Sequence, residues 1–451
     1  MVIRQLFHNF FSGHERTVRA RKNILGSFVL KGISILTSLL LVPLTIDYLN
    51  PTKYGIWLTL SSVIGWFIFF DIGLGNGLRN KFAAAKAEGK HQLAKVFVST
   101  TYAIITIIAV AMLVVFFIVN QFLDWGIILN TSNNIHEIEQ LVFIVFTVFC
   151  FQFVVKLINV IFIADQKPVI SSLINTLGSL FSLAAVFILI KTTDGSLLYL
   201  GASFSIINLL VPLIATFWVF SGKYKIYRPS FNTIDFSRSK ELLNLGFRFF
   251  ITQIAAIVVA ATDNIIIAQV VGNEEVTVYN VAYKYFGIMN MVFTIITAPY
   301  WSAYTEAYVK KDMVWVKQAT LKITKLWGVV AVGVIFMLFV ADYAFDLWIG
   351  DRIKIPFDLS LIMAIWVIVS TSTMIFSNFL AGVNKIQLSL YHAIFVSILN
   401  IPLSIYFAKN LEMGSMGVIL ATLIGMLPRA IFQPIQYWKI VHGKAKGIWN
   451  K

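Results

Sequence analysis

Read for hydrophobic against polar positions, the chain alternates long apolar runs with short polar joins. About twelve such runs lie at about 24–49, 56–78, 96–118, 139–163, 169–190, 197–220, 242–271, 276–301, 323–341, 359–381, 386–408 and 414–438, each near the roughly 20 residues that a helix needs to cross a hydrocarbon core. The joins within pairs are brief: "NPTKYG", "DQKP", "TTDGS", "GNEE", "AGVNK" and "KNLEMGS". Lipid cannot hydrogen-bond a bare backbone, so a spanning segment is a helix or part of a closed barrel, and these runs are too long and too uniformly apolar for barrel strands. The pattern predicts an all-α integral membrane protein with about 12 transmembrane helices.

Composition agrees. Of 451 residues, 58% are hydrophobic and 13% charged, against roughly 25% charged in an average soluble domain, and the mean hydropathy is +0.81. The lone cysteine, Cys150, lies inside an apolar run, so neither a disulfide framework nor a cysteine metal site can form within one chain. The N-terminal stretch "MVIRQLFHNFFSGHERTVRARKN" lacks a small-residue cleavage site after a short apolar core and is expected to stay on the mature chain.

Charge then sets the orientation. Basic residues fall on alternate connections: Arg16, Arg19, Arg21 and Lys22 before the first run, Arg79, Lys81, Lys86, Lys90 and Lys95 after the second, and Lys167 after the fourth. Lys223, Lys225 and Arg228 follow the sixth, Lys310, Lys311 and Lys317 the eighth, Lys385 the tenth, and Lys439, Lys444, Lys446 and Lys451 the last. The opposite set holds only Lys53, Lys191, Arg352, Lys354 and Lys409. By the positive-inside rule both termini are cytoplasmic and the helix count is even. The net charge of +15 is thereby mostly a topology signal, and nucleic acid is not an implied partner.

One glycine-rich stretch, "DIGLGNGLRNK" at 71–81, invites a phosphate-loop reading, but its spacing and context are wrong for a dinucleotide fingerprint. It is expected instead at the cytoplasmic end of the second helix, where small residues allow close helix approach and Arg79 and Lys81 meet headgroups. Asp71 and Asn76 there are either plain end-of-helix polarity or, with Arg79, the cytoplasmic mouth of a cavity. The longest internal basic linker, "SGKYKIYRPSFNTIDFSRSK", divides the helices six and six, and "NILGSFVLKG" and "NLGFRFFITQ" open the halves alike. The boundaries that follow are a cytoplasmic N-terminal segment at 1–23, an N-lobe at 24–220, a cytoplasmic linker at 221–241, a C-lobe at 242–438 and a cytoplasmic tail at 439–451. Repeated halves of this kind mark transporters whose substrate binds near the midplane.

"VPLTIDYLNPTKYGIWLTLSS", "FDIGLGNGLRNKFAAAKAEGK", "ATDNIIIAQVVGNEEVTVYNVAYK" and "LWIGDRIKIP", in that order, resemble the Wzx-type oligosaccharide flippases. These form the polysaccharide transport branch of the MOP superfamily, which also holds the MATE multidrug extruders and the lipid II flippase MurJ. The resemblance covers essentially the whole chain. It implies a MATE-like, V-shaped carrier of two six-helix lobes in the bacterial inner membrane. Its cargo would be undecaprenyl-pyrophosphate-linked oligosaccharide units for O-antigen or capsule synthesis, moved by alternating access. It further implies no cofactor, membrane lipids as partners, and a polysaccharide polymerase and chain-length proteins as candidate partners. The energy source stays open among membrane potential, a proton or sodium coupling ion, and mass action. The two extra C-terminal helices of MurJ-like proteins are not expected, which counts against that branch.

Ionisable groups inside membrane helices cost a few kcal/mol each on insertion scales and usually face protein or water. Lys31, Lys156, Arg248 and Lys284 lie within the runs, with one clearly interior acid, Asp263. This cationic surplus suits a pyrophosphate headgroup, because Lys and Arg are natural anion partners. Snorkelling to a nearby boundary is the competing account for Lys31, Lys156 and Arg248. Asp263 and Lys284 each lie about eight residues from the "GNEE" turn, roughly 12 Å below the outer edge at 1.5 Å per residue, so they could meet as a structural ion pair or as a coupling pair. Most of the abundant aromatic side chains are expected in the interface belts. No zinc spacing, nucleophile elbow or Walker loop is present, so no enzyme activity is expected. The readings left open are a lipid-linked oligosaccharide flippase, a MATE-like exporter of cationic molecules, and a membrane glycan polymerase or ligase, which would want a larger outer loop.

Overall fold

The computed structural model describes residues 15–132, 134–165, 167–243 and 262–451. Among them all regular structure is helical. The principal helices are α1 (Glu15–Leu49), α2 (Pro51–Gly65), α3 (Leu74–Ala87), α4 (His91–Val119), α5 (Ile135–Val155), α6 (Leu157–Ala164), α7 (Pro168–Thr192) and α8 (Leu197–Ser221). They continue with α9 (Asn273–Val309), α10 (Met313–Phe339), α11 (Phe357–Gly382), α12 (Gln387–Ile405) and α13 (Gly414–Val441). Nine helical stretches among the described residues are long and apolar enough to cross a bilayer. Of the other three expected runs, the second is interrupted and the seventh lies largely outside the described residues. The eighth is one continuous helix whose apolar character is diluted by Asn280, Lys284 and Asn290.

The second run differs from expectation. Asn50, at φ 79°, starts α2 by accepting from the Lys53 N–H with its side chain, and Pro51 supplies the first helical position. The helix stops at Gly65, tightens into a 3₁₀ segment over Trp66–Asp71, and restarts as α3 after Gly73, whose φ is +77°. Asp71 Oδ1 and Oδ2 accept from the Gly75 N–H at 3.0 and 3.2 Å. The acid therefore caps a new helix start rather than closing an old helix. The fourth run is broken as well, with Lys156 standing between α5 and α6.

The chain packs as two units, Met1–Leu49 with Phe67–Gln253, and Asn50–Trp66 with Ile254–Lys451. In unit 1, Leu74, Leu78 and Phe82, four residues apart on α3, are fully buried against Phe97 and Val98 of α4 and Ile158 and Phe162 of α6. The Tyr48 hydroxyl at the end of α1 meets Thr193 Oγ1 at 2.8 Å beyond α7. Residues 221–241 are folded onto the same unit: Ser99 Oγ meets Thr233 Oγ1 at 2.8 Å, and Thr100 Oγ1 accepts from the Asp235 N–H at 2.9 Å. In unit 2, Tyr304 is fully buried rather than placed in an aromatic belt, with its hydroxyl 2.9 Å from Thr320 Oγ1.

A buried carboxylate clasps this linker to the helix ends. Asp165 receives Lys86, Lys167 and the Tyr224 hydroxyl together, and its side chain is 8% exposed. Burial pushes the Asp165 pKa up, but the hydrogen bonds from Lys167, Lys86 and Tyr224 outweigh it and leave the net value below the ordinary range. A depressed folded pKa means that this stabilisation is fully present above the unfolded value and is lost as pH falls through the folded one. A spin label at Ile226, an exposed linker position, is therefore expected to be immobilised at neutral pH in the wild type and mobile in Asp165→Asn. Acidification through the depressed folded pKa, below the ordinary carboxylate value of about 4, should reproduce the variant's spectrum in the wild type. Equal mobility of wild type and variant at neutral pH would mean that the clasp does not hold the linker.

Candidate functional site: charges and polar ladders inside the helices

A charge or amide within a membrane helix persists where a neighbour satisfies it, so the partners of the intramembrane polar residues locate the site. In unit 1, Lys31 is exposed on α1, and Lys156 is exposed at the α5–α6 break, where its carbonyl accepts from the Asn159 N–H at 3.0 Å. No acid pairs with either among the described residues. Asp71 and Asn76 are half-buried and Arg79 is exposed. Lys81, expected near headgroups, reaches Glu241 at 2.9 Å. Arg248 lies outside the described residues.

Unit 2 holds the denser group. Asp263 is 5% exposed, its Oδ2 accepts from the Tyr279 hydroxyl at 2.7 Å, and its Oδ1 has no partner among the described residues. Lys284 is half-buried and donates to the Tyr54 hydroxyl at 3.1 Å, with its ammonium 5.9 Å from the Tyr54 ring centroid. The structure thus gives Asp263 and Lys284 to different partners, and no ion pair joins them among the described residues. The reason is azimuth. Tyr279 and Lys284 are five residues apart, about 140° around a helix with 3.6 residues per turn, so when one faces Asp263 the other cannot.

One residue further along each helix, neutral amides form a ladder. Asn280 Nδ2 donates to Asn264 Oδ1 at 2.7 Å, and Asn264 Nδ2 donates to Ser62 Oγ of α2 at 2.9 Å. Beside it Tyr279 stacks on Tyr283 at 6.1 Å between centroids, and Tyr283 lies 4.9 Å from Trp366 of α11. These residues and Arg429 on α13 were not singled out by sequence reasoning. Asn264 and Asn280 stand at equal distances from Gly272, and that symmetry was the available signal. Arg429 had another, a charge inside an apolar run bracketed by Pro428 and Pro434. The polar faces thus present cations, hydroxyls, amides and an aromatic ladder, groups that can hold oxyanions and sugar surfaces and that carry no nucleophile–base arrangement.

The profile of the family described as polysaccharide biosynthesis protein matches residues 20–305. The chain belongs to that family. The chain is 23% identical, over 79% of its length and 81% of the relative's, to a Yersinia pseudotuberculosis protein named for O-antigen export. It is also 23% identical, over 73% of its length and 74% of the relative's, to a Salmonella typhi protein named as an O-antigen transporter. Among solved structures, a multidrug resistance MATE family transporter of the MOP superfamily superposes with a TM-score of 0.74 at 16% identity, covering 93% of this chain and 98% of that one. The chain thereby has a MATE-like fold, as the resemblance implied, and is a multi-pass protein of the inner membrane.

Proposed function

We propose that this chain is a polysaccharide flippase that moves undecaprenyl-pyrophosphate-linked oligosaccharide units across the inner membrane for O-antigen or capsule synthesis, by alternating access with both termini in the cytoplasm. The observation that carries the reading is membership of the polysaccharide biosynthesis family together with two relatives named for O-antigen transport, each matched over most of its length. The charge inventory supports it. Among the described residues, cations without acid partners, Lys31, Lys156 and Lys284, outnumber the one deep acid, Asp263, which is engaged by Tyr279. A cationic surplus within the helices favours an anionic headgroup and disfavours the cationic cargo of a drug exporter. The exposed Tyr283, backed by Tyr279 and Trp366, offers a stacking face for a sugar ring.

Deleting the gene is expected to abolish long surface polysaccharide and leave the lipid-linked repeat unit on the cytoplasmic face, with sensitivity to cationic dyes unchanged. Extraction of the lipid-linked pool and gel analysis of the glycan read both effects. Normal polysaccharide in a strain with no second flippase, or raised dye sensitivity alone, would overturn the assignment in favour of drug export.

A further inference from the structure

We propose that unit 2 carries an oxyanion site centred on Arg429, which takes a phosphate oxygen of the cargo's pyrophosphate; this rests on the flippase reading above. Arg429 lies on α13, which spans Gly414–Val441. It is roughly 22 Å from the start of that helix and roughly 18 Å from its end at 1.5 Å per residue. Neither boundary is within a side chain's reach, so snorkelling does not account for it.

Its partners are neutral. Nη2 donates to Ser377 Oγ of α11 at 2.8 Å. Gln433, one helical turn on and 1% exposed, accepts from Arg429 Nε at 3.0 Å when its amide oxygen faces the guanidinium, and its nitrogen then donates to the Thr373 carbonyl at 3.1 Å. Ser389 Oγ of α12 completes that amide at 3.2 Å. His392, packed against Phe432 at 5.3 Å between ring centroids, has a buried Nε2 with no hydrogen-bond partner among the described residues.

The charge meets only neutral groups among the described residues. Among the described residues no carboxylate pairs with Arg429. A guanidinium has five N–H donors; Ser377 and Gln433 take two. Holding a cation this deep with only neutral acceptors is costly. An anion delivered from outside the chain offsets the cost, and the planar guanidinium fork matches phosphate oxygens in particular. Ser377 and Gln433 fix the fork so that little side-chain freedom is lost on binding.

The test uses the purified full-length chain in mixed micelles, with undecaprenyl pyrophosphate as probe, undecaprenol as its phosphate-free control and inorganic pyrophosphate as the soluble anion. Wild type is expected to bind undecaprenyl pyrophosphate and not undecaprenol. Arg429→Gln should weaken binding roughly tenfold or more, since charge-assisted hydrogen bonds are the strong ones. Arg429→Lys should weaken it less. Ser377→Ala, which keeps the charge and loosens the fork, should give an intermediate loss and serves as the folded variant if Arg429→Gln does not accumulate. Binding of undecaprenyl pyrophosphate at wild-type strength by all three variants would overturn the site while leaving the flippase reading intact. Arg429-dependent binding of inorganic pyrophosphate without binding of the lipid would support the oxyanion site and overturn the lipid-linked cargo. Binding of neither phosphate compound by wild type would overturn the site.

Discussion

Valine at position 55 is expected to remove nearly all folded protein from the membrane. Gly55, on the first turns of α2, is where that helix meets the start of α9 backbone to backbone. An added Cβ would lie 1.7 Å from the Asn273 carbonyl oxygen and 2.6 Å from its carbon. No rotamer relieves a clash with backbone, so the helices must separate. Separation also breaks the bond at 2.7 Å from Thr277 Oγ1 to the Pro51 carbonyl. Overpacking typically costs about 1–3 kcal/mol and more where backbone must move, a large part of a usual stability margin. Gly328 supplies the control. It sits inside α10 with nothing within 4 Å of an added Cβ, so Gly328→Ala should be neutral or stabilising by up to about 1 kcal/mol. Membrane-fraction yield and detergent thermal melting of the two variants decide the matter, and comparable yields would show that the α2–α9 approach is not what limits folding.

The contrast between these two glycines indicates which parts of the architecture a sequence exposes. The apolar runs were legible because lipid imposes the same demand on every turn of a helix: apolar side chains outside and backbone bonds closed within. Local breaks were harder to read. Ile72 and Gly73 interrupt the second run through positive φ angles, and the Asp71 cap that restarts the helix is a local geometry superimposed on an otherwise apolar stretch. The small-residue reading of "DIGLGNGLRNK" did capture close packing, since a Cβ on Gly77 would lie 2.3 Å from the Leu242 carbonyl oxygen. The partners of the deep polar residues were the least legible part. Axial spacing placed Asp263 and Lys284 at one depth, but the pairing is decided by angle around the helix, which gives Asp263 to Tyr279 and Lys284 to Tyr54. Arg429 was hidden for a different reason: one charge in a long apolar run barely changes its average hydropathy.

Transport itself is where the largest functional effect is expected, at Lys284. Its ammonium, half-buried and without a carboxylate partner among the described residues, is held by a neutral phenol hydroxyl that can exchange it for a phosphate at small cost. Lys284→Gln keeps the length and polarity of the side chain and the possibility of the Tyr54 contact while deleting the charge. It should therefore insert and melt like wild type yet translocate at least tenfold more slowly, the loss of one charge-assisted contact being worth roughly 1.5–3 kcal/mol. Lys284→Arg, which restores the cation, should recover much of the rate. A wild-type rate in Lys284→Gln would return this lysine to a structural role.

The most direct measurement of the central claim is translocation in proteoliposomes that contain only this chain. Undecaprenyl-pyrophosphate-linked oligosaccharide would be loaded in one leaflet and followed by a membrane-impermeant glycosidase or lectin on the other side, with a cationic dye offered in parallel. The predicted result is protein-dependent appearance of the glycan at the opposite face, slowed by Lys284→Gln, with no accumulation of dye. Protein-dependent dye movement with the lipid-linked glycan held in its original leaflet would contradict it.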